Sequence, residues 1–302
     1  MYISTSVSEI ANFLGQEYEG DNITVNDVSA YKKIIDGTLC FTNDNYIESK
    51  SHALLLCKES AVVESSTLSI IRLSNPRFAF AQITSDFLIE KKKLYIHEST
   101  IIHPHTDIAE NVGIGPFSLI ESGVIIGKNS SIGNHVTIKA GTSIGENTVI
   151  KSGAIIGDQG FGFGFNQTKK PKRIQHSGGV IIGKEVEIGA NCVVCAGTIS
   201  PTLIEDAVKI DDLVFIAHNC KIGSQTMIVA GTVICGSVTV GANCWVGPNS
   251  SVIEAISIGD NTKIGIGAVI TNDVTNGKKM MGLNALSLKN LIKFKRRVSY
   301  GD

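Results

Sequence analysis

Residues 102–156 read IHPHTDIAENVGIGPFSLIESGVIIGKNSSIGNHVTIKAGTSIGENTVIKSGAII, with an isoleucine at every sixth position. The six-residue phase resumes at Ile182 and, after one further shift, runs from Ile204 to Ile270 without a break. Twenty-five such positions are each Ile or Val. A period of six matches neither the helical 3.6 residues nor the alternation of a β-strand. It is typical of a solenoid whose coil has three short flat sides.

A second register accompanies the first. The residue four places after each of these positions is usually small, and the residue directly after it is often glycine. We expect the β-branched side chain to point into a prism, with the small residue beside the corner. Gly115, Gly127 and Gly133 are expected to supply the backbone freedom that the turn needs. Neighbouring coils would then pair as parallel strands and satisfy each other's backbone groups.

The sequence therefore predicts a mainly β protein of three parts. Residues 1–99 lack the repeat and read as a small α/β domain. Residues 100–275 carry the repeat and form a parallel β-helix domain. Residues 276–302 form a tail with one α-helix over residues 284–300, which has a rough apolar stripe and a basic face. That basic face is either a solvated surface on a packing helix or a docking site for an acidic partner.

Local signals support the α/β reading of the first part. Residues 6–14 read as a short helix, and the apolar runs SHALLLC (51–57) and LSIIRL (68–73) read as buried strands. Asn75 and Pro76 suit the cap and the first turn of a second helix.

The composition excludes several classes of protein. Hydrophobic residues make up 43% and charged residues 18%, which predicts a folded core rather than disorder. The formal net charge of −1 gives no general case for nucleic acid as a partner. Seven cysteines, an odd number, argue against a secreted disulfide scaffold. No signal peptide or membrane span is recognisable, so we expect a cytoplasmic protein.

The repeat is interrupted twice. Residues 157–180 read GDQGFGFGFNQTKKPKRIQHSGGV, and four extra residues separate Val194 from Ile204. A loop at such a place can reach a substrate or a neighbouring subunit. The Gly-Phe alternation lacks the strand-to-helix context of a phosphate loop, so we reject that reading.

Four segments, in order along nearly the whole chain, resemble the UDP-3-O-acylglucosamine N-acyltransferases of lipid A biosynthesis, which are hexapeptide-repeat acyltransferases. They are SNPRFAFAQI (74–83), GDQGFGF (157–163), RIQHSGGVIIGKEVEIGANC (173–192) and VKIDDLVFIAHNCKIG (208–223). The resemblance implies a left-handed parallel β-helix and a homotrimer with active sites between subunits. It also implies acyl transfer from an acyl carrier protein or coenzyme A thioester to the amine of a nucleotide-linked sugar.

The resemblance assigns further roles. The N-terminal domain would bind the nucleotide, with Phe41 and Tyr46 around the uracil, although their spacing is one residue short of the family pattern. The C-terminal helix would meet the acyl carrier. His218 matches the catalytic histidine of the family, and Asp211 matches a family carboxylate.

Thioester aminolysis needs a base, a donor for the tetrahedral oxyanion, and close placement of both substrates. His218 follows the inward Ile216 by two residues, so we expect it at the outer surface of the coil, where an imidazole serves as base near neutral pH. Asp211, on the preceding side of the same coil, would orient or stabilise that ring. The residues predicted to contact substrate are Gln175, His176, Phe161, Phe163 and Asn219.

Some positions depart from the family pattern. Cys195-Ala196-Gly197 stands where the family shows Asp-Arg-Gly, no second histidine precedes the Ile258-Gly259-Asp260 turn, and Gly282-Leu283-Asn284-Ala285 replaces Gly-x-Pro-Ala. These departures suggest a relative that acts on another acyl chain or another nucleotide-linked amino sugar, such as a 3-amino or 4-amino deoxysugar.

Two alternatives stay open at this point: a sugar O-acyltransferase, and a hexapeptide-repeat protein that binds a metal or has no activity. Cys192-x-x-Cys195 could suggest metal or redox chemistry. However, Cys192, Cys220 and Cys244 all fall in the small-residue slot and are expected to be core residues. The three spaced histidines of a γ-class carbonic anhydrase are not recognisable, so we expect no metal site and no bound cofactor.

Overall fold

The computed structural model describes residues 2–90 and 93–282. The chain divides into two compact units, Met1–Lys92 and Lys93–Asp302. The helix predicted over residues 284–300 lies outside the described residues. Among the helices that are described, none has the length and apolar character needed to cross a lipid bilayer.

The first unit contains two α-helices, α1 (Val7–Leu14) and α2 (Pro76–Gln82), and both predicted helices are confirmed. Ser6 caps α1 through a capping box, in which its hydroxyl accepts from the backbone of Glu9 at 3.3 Å and its own N–H donates to the Glu9 carboxylate at 2.9 Å. Asn75 caps α2, which continues into a π-helical turn over Ile83–Phe87.

Short strands complete the first unit. The strands are β1 (Thr5–Ser6), β2 (Thr24–Val25), β3 (Asp27–Val28), β4 (Thr38–Phe41), β5 (Tyr46–Glu48), β6 (Leu54–Lys58), β7 (Val62–Glu64) and β8 (Ser69–Leu73), with a 3₁₀ turn at Tyr31–Lys33. Strands β3, β4, β6 and β8 form a parallel sheet in that order, β5 pairs with β7 in parallel, and β1 pairs with β2 antiparallel. The two strands predicted from apolar runs correspond to β6 and β8, whose apolar side chains are mostly buried.

The second unit is a parallel β-helix, as predicted. Before the loop its strands are β9 (Ile101–Ile102), β10 (Asp107–Ile108), β11 (Gly113–Ile114), β12 (Leu119–Ile120), β13 (Ile125–Ile126), β14 (Ser131–Ile132), β15 (Thr137–Ile138), β16 (Thr142–Ile144), β17 (Val149–Ile150) and β18 (Ile155–Asp158). The loop contains a hairpin of β19 (Phe163–Phe165) and β20 (Pro171–Arg173). After the loop come β21 (Val180–Ile182), β22 (Glu187–Ile188), β23 (Val193–Cys195), β24 (Thr202–Ile204), β25 (Lys209–Ile210), β26 (Phe215–Ile216), β27 (Lys221–Ile222), β28 (Met227–Ile228), β29 (Val233–Ile234), β30 (Thr239–Val240), β31 (Trp245–Val246), β32 (Ser251–Val252), β33 (Ser257–Ile258), β34 (Lys263–Ile264), β35 (Val269–Ile270) and β36 (Lys279–Met280).

Apart from the loop hairpin β19–β20 and the last strand β36, which pairs with β34, every third strand joins the same sheet. One uninterrupted coil therefore contains 18 residues, as the pairing of Asp107 with Ile125 illustrates. The first sheet begins at β10, the second at β11 and the third at β9, and they hold eight, nine and nine strands. The repeating Ile and Val positions line the interior, and all are buried except Ile102 and Ile108 at the open first coil. Fully burying one such side chain stabilises the folded state by about 1.5–3 kcal/mol relative to leaving it exposed. This gain explains why every position of the repeat is Ile or Val.

The corners correct one prediction. Gly127 and Gly133, directly after inward residues, do not have the positive φ of a left-handed turn. They are required because a Cβ at either would lie 2.6 Å from a backbone nitrogen of the next coil. The left-handed residue lies three places after the inward one and is often asparagine, as at Asn129 and Asn147. Asparagine tolerates this conformation better than most residues with a Cβ.

The two interruptions lie at the same corner of the prism. Residues 159–179 connect the third sheet to the first, and residues 196–201 make the same connection one coil later. The two segments hydrogen-bond to each other, since Ser177 donates to the carbonyl of Thr198 at 3.0 Å and Gly178 to that of Gly197 at 2.8 Å. We call this line of turns, including residues 217–220 in the following coil, the loop edge.

Candidate functional site

His218 lies on the loop edge, in the turn directly after β26. Its side chain is half-buried. Gly236, one coil further on, lies against the ring, and a Cβ there would be 2.6 Å from Cε1 of His218. The absence of a side chain at Gly236 therefore leaves room for the imidazole to lie over the next coil.

Asn219 fixes the hydrogen bonding of His218. Asn219 is left-handed, with φ 60°, and its Oδ1 accepts from the backbone N–H of Thr198 at 2.7 Å. Its Nδ2 donates to the Thr198 hydroxyl at 3.1 Å and lies 3.0 Å from Nδ1 of His218. Because Nδ2 can only donate, Nδ1 of the neutral ring must be the acceptor and Nε2 must carry the proton.

His176 lies against His218 although the two are far apart in sequence. The ring centroids are 4.9 Å apart, with an angle of 55° between the planes. The backbone of His176 is held by the side chain of Gln159, whose Oε1 accepts from the His176 N–H at 2.8 Å and whose Nε2 donates to its carbonyl at 2.9 Å. The departing and returning arms of the loop thus position the second imidazole.

The ring of His176 is 4% exposed, and neither of its nitrogens has a hydrogen-bond partner among the described residues. Burial lowers the pKa of His176, the nearby His218 and Arg173 lower it further, and the backbone of Ile174 opposes them. The ring is therefore neutral around pH 7, with one N–H and one lone pair unused.

Two glycines of the loop allow it to cover the histidines. A Cβ at Gly160 would lie 2.8 Å from Nε2 of His176 and 2.8 Å from Cβ and Cδ2 of His218. A Cβ at Gly162 would lie 2.8 Å from Cε1 of His176. The first two glycines of the Gly-Phe alternation, Gly160 and Gly162, are thus a packing requirement, because they face the imidazoles.

Two cavities flank the histidine pair. The polar cavity, about 460 Å³, is lined by Glu121, Lys139, Asp158, Gln159, His176 and Ser177. The apolar cavity, about 440 Å³, is lined by Phe161, Phe215, Ala217, His218 and Cys235, with Glu254 at one side. The arrangement offers an imidazole between a place for a polar group and a place for an apolar one.

Comparison with known proteins identifies the family. A UDP-3-O-acylglucosamine N-acyltransferase of Campylobacter curvus is 40% identical over 91% of this chain and 92% of its own length. The enzyme of that name from Campylobacter lari is 39% identical over 97% of both chains. The chain belongs to the UDP-3-O-acylglucosamine N-acyltransferase family.

Models of repeats and solved structures agree with this family. The bacterial transferase hexapeptide model matches residues 105–140, 123–158 and 237–272, and the hexapeptide repeat of succinyl-transferase matches 179–211. The crystal structure of a UDP-N-acetylglucosamine acyltransferase from Francisella novicida is 28% identical, with a TM-score of 0.58 over 67% of this chain and 73% of that one.

The carboxylate that matches the family, Asp211, is not beside His218 within one chain. It follows β25 at the corner between the second and third sheets, whereas His218 is at the next corner. The Asp211 carboxylate accepts from the backbone of Asp212 at 2.9 Å and of Ala230 at 3.3 Å, and it lines a separate cavity with Trp245. The predicted place on the preceding side of the coil is confirmed, but a contact with the imidazole is not formed here.

The remaining loop residues predicted for substrate binding are spread along the hairpin. Phe161 is 83% exposed and lines the apolar cavity, and its ring meets that of Phe163 edge-on at 5.0 Å. Arg173 stacks on Phe163 at 4.7 Å and donates to the carbonyl of Gly160 at 3.0 Å. Gln175 is exposed, directly before the buried His176.

The aromatic residues that match the uracil site of the family lie in the first unit. Phe41, at the end of β4, is half-buried and packs on Phe80 with the centroids 4.8 Å apart. Tyr46, at the start of β5, is 55% exposed, and its hydroxyl donates to Glu64 at 2.8 Å. Only Tyr46 therefore presents most of its ring to solvent.

The buried cysteines are confirmed as core residues. Cys192, Cys220 and Cys244 are at most 2% exposed, and burial raises the pKa of Cys220 to about 12. Within residues 2–90 and 93–282, no group of three or more His, Cys, Asp or Glu side chains is placed to hold a metal ion.

Sequence reasoning missed Gln159, Thr198 and Gly236. A signal for two of them was present: Thr198 lies in the second interruption, and Gly236 lies 18 residues, one coil, after His218. Nothing in the local sequence marks Gln159 as the residue that holds the returning arm.

Proposed function

We propose that this protein transfers an acyl group from the thioester of an acyl carrier protein or coenzyme A to the amine of a nucleotide-linked amino sugar. The observation that carries the proposal is the contact of His218, which lines the apolar cavity, with His176, which lines the polar one, in a chain of this family. UDP-3-O-acylglucosamine, which the relatives' name contains, is the first substrate to test. Other nucleotide-linked amino sugars follow, because of the departures from the family pattern.

In the proposed reaction the amine attacks the thioester carbonyl, and the C–N bond forms as the C–S bond breaks. The proton of the amine passes to His218. In the neutral ring the nitrogen without a proton is Nδ1, so Nδ1 takes it up. The amine would displace Asn219 from that nitrogen. The thiolate leaves and takes the proton from the imidazolium of His218, and the ring of His218 is neutral again.

The proposal includes a homotrimer, and Asp211 gives a reason for one. Because Asp211 and His218 are at different corners of one prism, an Asp211 carboxylate that orients the ring must come from a neighbouring chain. The Asp211 of one subunit would then act on the His218 of the next.

The other predicted contacts take these roles in the proposal. The polar cavity, with His176 and the neighbouring Gln175, receives the sugar, and the apolar cavity below Phe161 and Phe163 receives the thioester and its acyl chain. Tyr46 and Phe41 bind the uracil, and the basic tail over residues 284–300 meets the acyl carrier.

The test is a mass-spectrometric assay of the purified protein with UDP-3-O-acylglucosamine and with 3-amino and 4-amino nucleotide sugars. Acetyl-coenzyme A, longer acyl-coenzyme A and 3-hydroxyacyl carrier protein serve as donors. We expect an amide product and a fall in kcat of about 10²–10⁴-fold in His218→Ala, the usual size of general-base catalysis. His135→Ala, in a turn where His135 stacks on Phe117, is the matched control.

Two outcomes would contradict the proposal. A folded His218→Ala variant with full transfer activity would exclude the base. If the newly transferred acyl group, marked by an isotope label in the donor, is released by hydroxylamine, the new bond is an ester and the protein is a sugar O-acyltransferase.

A further inference from the structure

His176 presents an energetic problem. A buried polar group without a hydrogen bond destabilises the folded state, and native proteins rarely keep one without a functional reason. Both ring nitrogens of His176 are in this condition, although Gln159 holds its backbone in place with two hydrogen bonds. The chain thus keeps an unused donor and an unused acceptor next to His218.

The hydrogen bond between Asn219 and His218 indicates when His218 would need the unused acceptor of His176. Nδ1 of neutral His218 accepts from Asn219. An imidazolium has two N–H donors and no acceptor, so that hydrogen bond is lost when His218 takes a proton. Asn219 cannot turn its oxygen to the ring, because Oδ1 already accepts from the backbone of Thr198. Protonated His218 therefore needs a different acceptor.

One candidate is His176. The two rings are in contact at a centroid separation of 4.9 Å, and rotation about the Cβ–Cγ bond of a histidine is only weakly restricted. Gly160 lies beside Nε2 of His176 and Cδ2 of His218, so a rotation of the His176 ring turns a nitrogen toward the Nε2 edge of His218. Gly160 permits this contact, because it places no side chain between the rings.

The surroundings of His176 favour its neutral ring, in which one nitrogen can accept a hydrogen bond. Burial disfavours its charged form, and Arg173 adds a positive charge nearby. The charged groups that face the pair are Arg173 above the loop, Asp158, Glu121 and Lys139 around the polar cavity, and Glu254 in the apolar cavity. Glu121 and Lys139 neutralise each other in an ion pair of 2.8 Å.

We infer that His176 is a positioning residue for His218, whose neutral ring accepts a hydrogen bond from His218 once His218 has taken the proton of the amine. The inference rests on the proposed function for the source of that proton. The structure does not contain this hydrogen bond. An imidazolium N–H is a stronger donor than a neutral one, so the hydrogen bond favours charged His218 and stabilises the step that charges it. This contribution of His176 acts through His218 and is separate from the place of His176 at the wall of the polar cavity.

The first test measures titration and needs no turnover. The protein, labelled at histidine Cε1, is titrated by NMR as wild type, His176→Phe and His135→Phe. Phenylalanine keeps the ring contact and removes the acceptor. Since a hydrogen bond to a charged group is worth roughly a factor of ten or more, we expect the pKa of His218 to fall by about one unit in His176→Phe and to stay unchanged in His135→Phe.

A rise in the pKa of His218 in His176→Phe, or no change in it, would overturn the inference. A rise in the pKa of His218 would mean that His176 acts by repelling its charge. An unchanged pKa would mean that His176 only packs. If His176→Phe does not fold, His176→Gln gives a second measurement, because its side-chain oxygen keeps an acceptor and should retain most of the wild-type pKa.

The second test is the pH profile of kcat. In His176→Phe the acidic limb should move by about one unit to lower pH, and the plateau should fall several-fold because the base is weaker. A plateau and limb equal to wild type would exclude the positioning role. If the wild type transfers no acyl group but the NMR shift is found, the proposed function fails and the hydrogen bond between the two histidines stands.

Discussion

Gly160 is where the loop touches both histidines, and Gly160→Ala adds one methyl group between them. The new Cβ would lie 2.8 Å from Nε2 of His176 and 2.8 Å from Cβ and Cδ2 of His218, whereas ordinary contacts begin at 3.4 Å. The neighbours must therefore give way by about 0.6 Å. Gly160 does not have a positive φ, so alanine causes no backbone strain there.

The atoms that must move belong mainly to side chains, so we expect the imidazoles to shift and the β-helix to persist. A misplacement of about 1 Å can cost a factor of 10², so kcat/KM should fall by a factor on the order of 10 to 100. Overpacking of this kind lowers the free energy of unfolding by about 1–3 kcal/mol. Activity is thus expected to fall far more than stability.

The assay combines initial rates of acyl transfer with thermal unfolding. The matched control is Gly164→Ala in the same loop, where an added Cβ meets no atom within 4 Å and φ is again not positive. We expect Gly164→Ala to match the wild type in both measurements. Wild-type rates in Gly160→Ala would refute the reasoning, because the loop could then not lie on the histidine pair in the working enzyme.

Two further predictions concern the β-helix. Burial raises the pKa of the Cys220 thiol to about 12, so this thiol should not react with a maleimide at neutral pH until urea unfolds the chain. Peptide mass spectrometry follows the labelling of Cys220. Rapid labelling in the folded protein would contradict the core assignment. The hydrogen bond from Lys139 lowers the pKa of Glu121. The wild type should therefore be more stable than Glu121→Gln, by at most about 1 kcal/mol for this partly exposed pair, above the ordinary carboxyl pKa, and this difference should vanish as the pH falls through the lowered pKa. Urea unfolding at neutral and acidic pH measures the difference, and an equal difference at both pH values would contradict the assignment.

The interior of the β-helix could be predicted because burial acts on every coil alike. The Ile and Val column follows from a single period, and its exceptions, Ile102 and Ile108, are at the end that no earlier coil covers. The reason for the glycines was not predictable in the same way. Their role depends on backbone atoms 18 or more residues away, such as those that Gly127 approaches.

Part of the site was also within reach of the sequence. Counting the repeats in threes assigns each inward residue to a sheet, and it puts Ile156, Val194 and Ile216 on the same one. Both interruptions and His218 therefore share a corner, as the structure confirms. The same count separates Asp211 from His218 by one corner.

The contact between His176 and His218 could not be predicted. Forty-two residues separate them, and the returning path of the loop is set by the Gln159 side chain and by the pairing of Ser177 with Thr198. Such contacts depend on the geometry of an irregular loop, for which no periodic pattern exists. The unpaired nitrogens of His176 are likewise visible only in three dimensions.

The 18-residue coil also limits how the length of such a chain can change. A duplication or deletion of 18 residues in a regular part of the β-helix, such as that between Ile216 and Ile270, would move later turns along the axis but keep each on its own corner. A change of six residues would preserve the hydrophobic column equally well, yet it would rotate every later turn by one third of the prism. A column of isoleucine is indifferent to that rotation, whereas a reaction centre assembled from consecutive coils is not. Tandem duplication in this fold can therefore lengthen the solenoid in any number of hexads, but only whole coils keep its chemistry in line.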